Sequence, residues 1–144
     1  MTLPITETID CDILIIGGGM SGCGAAFESK YWSGDLKVVM VEKAAIERSG
    51  ATGEGLSAIN CYMGQRNGWN TPEDFVHYVV NDMMGLARED LVYDVGRHVD
   101  NSVHLLEEWG LPIWKKDNGE YERVGRWQIP IHGESIKPIA AEPA

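Results

Sequence analysis

Nothing in these 144 residues approaches the run of roughly 18–20 apolar side chains that spans a bilayer, so direct membrane insertion is not expected. Cysteine is scarce. Cys11, Cys23 and Cys61 stand far apart with no CxxC spacing, which excludes a zinc or iron–sulfur cage and a disulfide framework. They read as reduced, buried thiols. Basic residues are also in short supply: 12 Lys and Arg face 22 Asp and Glu, a net charge of −10 that argues against nucleic acid or an anionic membrane as partner. The four histidines (His77, His98, His104, His132) form no HExxH pattern, and His98 and His104 do not share a helical face, so no metal site is expected. Met1 to Asp10 has no basic, apolar leader, so no secretory signal is read and a cytoplasmic location is expected. No repeat or low-complexity segment is present. Hydrophobic residues make up 44% of the chain, ordinary globular usage, and the length suits one domain with its own core.

What the chain does have is glycine in a meaningful place. Ile13-Leu14-Ile15-Ile16 reads as a parallel-sheet strand covered on both faces, and Gly17-Gly18-Gly19-Met20-Ser21-Gly22 follows it. Gly17 permits a tight turn, Gly19 lets backbone approach a pyrophosphate, and Gly22 lets a helix starting near Met20 sit close on the strand. The unpaired first N–H groups of that helix and its positive dipole end face the phosphates. A second strand, Val38-Val39-Met40-Val41, ends at Glu42, 20 residues past Gly22, where a carboxylate accepts hydrogen bonds from ribose hydroxyls and repels a 2′-phosphate. The reading requires that this carboxylate stand beside the glycine turn and that the turn's amides be left open for the dinucleotide.

Residues 44–60 are rich in glycine and serine where a nicotinamide domain would start another βα unit within a few residues. A long small-residue loop suggests backbone wrapped along an extended cofactor, and flavin adenine dinucleotide (FAD) is the natural candidate. Ser49 and Ser57 offer hydroxyls, Gly50, Gly53 and Gly55 offer open backbone N–H, and Asn60 offers an amide.

Thr71-Pro72-Glu73-Asp74 is a helix start, and Phe75, Val76, Val79, Val80, Met83 and Met84 repeat at helical spacing up to Gly85. A second helical stretch runs from about Glu89 to Trp109. It places Leu91, Val92, Val95, Val99, Val103, Leu106 and Trp109 on one core face, with Asn101-Ser102 a possible break capped by Ser102. Asn118-Gly119 between Trp114 and Tyr121 signals a hairpin, and Trp127 to Ile131 reads as a short strand. Two parallel strands do not complete a doubly wound domain, so the chain reads as the first part of a longer polypeptide. The expected divisions are a βαβ core at about 11–43, a cofactor loop at 44–60, a helical region at 71–110 and a hairpin and strand region at 111–135.

The segments Gly17 to Glu28, Val41 to Ala44, Glu47 to Ala51, Gly55 to Asn60, Asp82 to Asp90, Trp109 to Lys115, Gly133 to Ser135 and Lys137 to Ile139 resemble the α subunits of dissimilatory adenylylsulfate reductases. These are flavoproteins of the fumarate reductase and succinate dehydrogenase group. The resemblance implies an α/β, Rossmann-like FAD-binding domain of the fumarate reductase flavoprotein type, incomplete here, with helical and hairpin insertions. It implies noncovalent FAD, iron–sulfur clusters only in a partner β subunit, and interconversion of adenylylsulfate with AMP and sulfite through an adduct between sulfite and flavin N5. Cofactor-binding candidates are Gly17, Gly18, Gly19, Met20, Ser21, Gly22, Glu42, Lys43, Ser49, Gly50, Leu56, Ser57 and Asn60, with Asn60 also the catalytic candidate near flavin and substrate. Gly50 stands where the succinate dehydrogenases and fumarate reductases carry a flavin-linked histidine, so no histidyl link forms there. Thr52-Gly53-Glu54 departs from the family's more apolar loop and adds a negative charge. Arg48, His132, Glu134 and Lys137 are weaker ligand-side candidates, and the family's substrate-holding arginine and histidine are expected beyond residue 144. Two other readings remain open at this point: fumarate reductase or aspartate oxidase chemistry, and an inert fragment.

Overall fold

A computed structural model describes residues 7–144; the reading of the first ten residues as lacking a leader falls partly outside this range. Strand β1 (Ile13–Ile16) leads through the glycine turn into helix α1 (Met20–Ser33), which returns to strand β2 (Val38–Val41). β1 and β2 pair in parallel, Ile13 opposite Val38 through Ile16 opposite Val41. The β-branched strand residues and the helical crossover through α1 make this the standard βαβ unit. Burial alternates along β1, with Leu14 54% and Ile16 81% exposed. This corrects the expectation of a strand covered on both faces: among the described residues this sheet has two strands, and only the α1 side carries a layer.

After β2 the chain runs through two short 3₁₀ turns, Ile46–Arg48 and Ala51–Glu54, to strand β3 (Ala58–Ile59). Helix α2 (Pro72–Asp82) is fixed at its start by a full capping box, in which Thr71 Oγ1 accepts from Asp74 N–H and the Asp74 carboxylate accepts from Thr71 N–H. Helix α3 (Glu89–Glu108) is continuous through Asn101 and Ser102, so the suggested break does not occur; Ser102 Oγ bonds back to the His98 carbonyl at 3.5 Å. Of its expected core stripe, Val99 and Val103 are buried, whereas Leu91 and Val95 are 57% and 50% exposed, because α2 covers only one flank of a stripe that extends around the helix.

The turn at Asn118-Gly119 closes as a hairpin: Gly119 takes φ +84°, and Lys115 bridges Tyr121 across it. Strand β4 (Ile129–Pro130) pairs antiparallel with β3, and a 3₁₀ turn Gly133–Ser135 runs into helix α4 (Ile136–Ala141). The main core gathers Tyr62, Met63, Phe75, Val99, Val103, Tyr121, Trp127 and Ile129. Buried Asp100 on α3 ties the segment after β3 into it, accepting Met63 N–H at 2.7 Å and Gln65 N–H at 2.8 Å. No helix among the described residues is long and apolar enough to cross a membrane. The three cysteines are unpaired; Cys23 is buried, while Cys11 and Cys61 are only half-buried.

Candidate functional site

The glycine turn opens into a trough. One part, a cavity of about 570 Å³, is lined by Ile16, Gly17, Gly19, Val41, Glu42, Lys43 and Gly50. A second, of about 430 Å³, shares Ile16, Gly17, Gly19 and Gly50 and adds Met20, Ser21, Gly22, Ala51 and Thr52. Eight of the residues singled out from sequence therefore meet in one place.

Each glycine has its own physical reason. Gly17 turns at φ +97°, which side-chain-bearing residues rarely adopt. A β-carbon on Gly22 would lie 1.9 Å from the Gly17 carbonyl oxygen, so α1 sits directly on the end of β1. Gly19 differs: a β-carbon there would meet only the Gly50 Cα, at an ordinary 3.7 Å. Nothing in the polypeptide demands glycine at 19. The demand comes from the trough, which a side chain would begin to fill.

The first helical hydrogen bond of α1 runs from Cys23 N–H to the Gly19 carbonyl at 2.9 Å, and Gly19 caps the helix with no side chain. The N–H groups of Met20, Ser21 and Gly22 thus lack intrahelical acceptors, and the helix dipole is positive at this end. An elongated anionic group fits here, and the residues present suit the diphosphate of a dinucleotide.

Glu42 stands at the turn as the spacing requires, but it does more than wait for a sugar. Its Oε2 accepts Gly18 N–H at 2.5 Å, and its Oε1 accepts Lys43 N–H at 2.7 Å and Ala44 N–H at 3.0 Å. Two turn amides are therefore taken by the protein itself, that of Gly18 by Glu42 and that of Gly17 by the Val41 carbonyl at 2.8 Å, a correction to the expectation that all stay open; the amides at the start of α1 are the ones left without an intrahelical acceptor. The Gly18 N–H and then that of Ala44 hold the Glu42 carboxyl below the usual carboxylate range. A carboxylate with about four lone-pair sites, three of them bonded to backbone, keeps one for a ribose hydroxyl.

Behind the turn, buried Ser49 donates to the Gly18 carbonyl at 2.6 Å, so it braces the turn rather than lining the trough. Leu56 and Ser57 line a different cavity of about 350 Å³ with Glu54, Gly55, Ile131, His132, Gly133 and Glu134. Two carboxylates there make it a poor seat for an anion. Asn60 is exposed immediately after β3 and lines neither this cavity nor the trough. Arg48 is exposed and lines neither cavity. Lys137 does not face ligand space at all: it is 1% exposed, with Nζ on the Ile46 carbonyl and on Cys23 Sγ. Sequence reasoning missed Ile16, Val41, Ala51 and Thr52 as lining residues; their positions beside the motif were the available signal.

Residues 12–135 match the model of a family described as FAD binding domain. The adenylylsulfate reductase subunit alpha of Megalodesulfovibrio gigas is 49% identical over 98% of this chain, which spans 24% of that protein. Two solved structures align over 95% of the chain and 22% of their own length at 64% identity. One is the adenylylsulfate reductase of Archaeoglobus fulgidus, with a TM-score of 0.88. The other is an adenosine-5-phosphosulfate reductase in complex with sulfite, described as a covalent adduct, with a TM-score of 0.87. The chain thus spans about a quarter of the length of the relatives it matches.

Proposed function

Because this chain belongs to the FAD binding domain family, we propose that it is the FAD-carrying segment of a flavoprotein that interconverts adenylylsulfate with AMP and sulfite. The observation that carries the reading is the 64% identity across nearly the whole chain to adenylylsulfate reductases, one of them bound to sulfite.

In this reading the N–H groups of Met20, Ser21 and Gly22 receive the diphosphate, and Gly17 and Gly19 give it room. Glu42 orients a ribose hydroxyl, with Lys43 beside it at the trough wall. Ser49 and Gly18 hold the turn rigid, so the anion site is formed before the cofactor arrives. Gly50 lets the loop lie against the turn. Leu56 and Ser57 receive the flavin ring end, and Asn60, which follows them across the two residues of β3, presents its amide to the ring and substrate. Bound FAD supplies the two-electron exchange with sulfur. The partner is an iron–sulfur subunit that feeds electrons to the flavin, and the assembly works in the cytoplasm. Ile16 and Val41 give the trough an apolar wall beside Glu42 and Lys43.

The test is reduction of an electron acceptor by the full-length protein with its iron–sulfur partner. Turnover that depends on sulfite and AMP together supports the reading. Turnover with succinate, or fumarate reduction, in place of it would reject the reading.

A further inference from the structure

Lys137 is the one cation among the described residues that is fully buried, and no carboxylate lies within ion-pair distance of it. A buried ammonium without an acid is costly to the protein that carries it. The acceptors it finds are a carbonyl and a sulfur, neither of them a carboxylate. Nζ donates to the Ile46 carbonyl and lies 3.3 Å from the sulfur of Cys23, which sits in the first turn of α1. That is the positive end of the helix dipole. Cys23 in turn reaches the Gly18 carbonyl at 3.4 Å, the same oxygen that Ser49 braces. α4 packs on α1 and on both 3₁₀ turns of the cofactor loop, so the lysine arrives from behind the glycine turn.

The lysine and the positive end of the helix lie behind a turn whose far side is the trough, and the ligand expected there carries the missing sign. We propose that Lys137 is a positioning residue for the cofactor, a buried counter-charge that acts through the Gly18 turn on the diphosphate. The proposal rests on the diphosphate seat described above. It does not make Lys137 a structural fastener. The Ile46 carbonyl also accepts Ser49 N–H at 3.4 Å, so replacing the lysine leaves no orphaned acceptor. The apoprotein should therefore tolerate an apolar residue of similar length, or gain from it.

The experiment compares the deflavinated full-length protein with its Lys137→Met and Lys137→Gln variants. Binding of ADP and of adenosine is measured by calorimetry, and apoprotein melting is recorded alongside. The proposal expects both variants to bind ADP about tenfold more weakly, to bind adenosine as the parent does, and to melt at the parent temperature or above. Equal loss for ADP and adenosine, unchanged ADP affinity, rescue by Gln but not Met, or an apoprotein that melts lower or fails to fold would each overturn it. If the parent itself shows no affinity for ADP, the diphosphate seat is wrong and the proposal falls with it.

Discussion

Gly50 lies so close against Gly19 that a β-carbon on Gly50 would stand 2.9 Å from the Gly19 Cα, across 31 residues of sequence. The loop that follows β2 is thereby pressed onto the turn that precedes α1, with Gly50 at φ +78°. Contact and conformation both forbid a side chain.

Gly50→Ala is expected to cost about 2–4 kcal/mol through backbone strain and displacement of the turn. FAD affinity should fall tenfold or more, measured by quenching of flavin fluorescence on the full-length protein. Gly50→His should fare no better and should yield no covalent flavin after denaturation.

Glu42 gives a pH dependence with a definite sign. Backbone donors lower its native pKa from an ordinary 4.5. A depressed carboxylate adds stability that is complete above the unfolded value and is lost as pH falls through the native value. Melting temperatures recorded from pH 7 down to pH 3 should therefore drop more steeply for the parent than for Glu42→Gln. At pH 7 the variant should bind FAD roughly tenfold more weakly, the scale of a charged hydrogen bond to a ribose hydroxyl.

Two glycines of α1 should behave oppositely. Gly22→Ala drives a methyl into the Gly17 carbonyl and should abolish FAD binding. Gly24 is exposed, and a β-carbon there would have no neighbour within 4 Å. It should accept alanine and gain about 0.5–1 kcal/mol from helix propensity. A melting temperature raised by a few degrees would register it.

Asp100→Ala removes the acceptor of two backbone N–H groups, one of them buried, and should destabilise the fold by about 3 kcal/mol in urea denaturation. The trough lies on other elements, so FAD affinity of the folded fraction should be unchanged.

Much of this was legible in the sequence because local physics wrote it there. The β1–turn–α1–β2 unit follows from an apolar run, a glycine motif and an acid at fixed spacing. α2 follows from Thr71 and Pro72, and the hairpin from Asn118-Gly119. What escaped depends on partners far along the chain. No pattern announces that Glu42 will take Gly18 N–H, because that bond reports how two loops meet. Lys137 reads in the sequence as a weak ligand-side candidate, and only the packing of α4 behind the cofactor loop shows it to be buried. Leu91 and Val95 share the helical period of the core residues, yet period alone does not say how wide a flank α2 covers.

The central claim is that a dinucleotide diphosphate sits between the start of α1 and Gly50 while Glu42 holds the ribose. A crystal structure of the FAD-loaded protein tests it most directly. The account predicts phosphate oxygens within hydrogen-bond distance of the Ser21 or Gly22 N–H, and a ribose hydroxyl on Glu42. A diphosphate lodged elsewhere, with Glu42 bonded only to Gly18, Lys43 and Ala44, would contradict it.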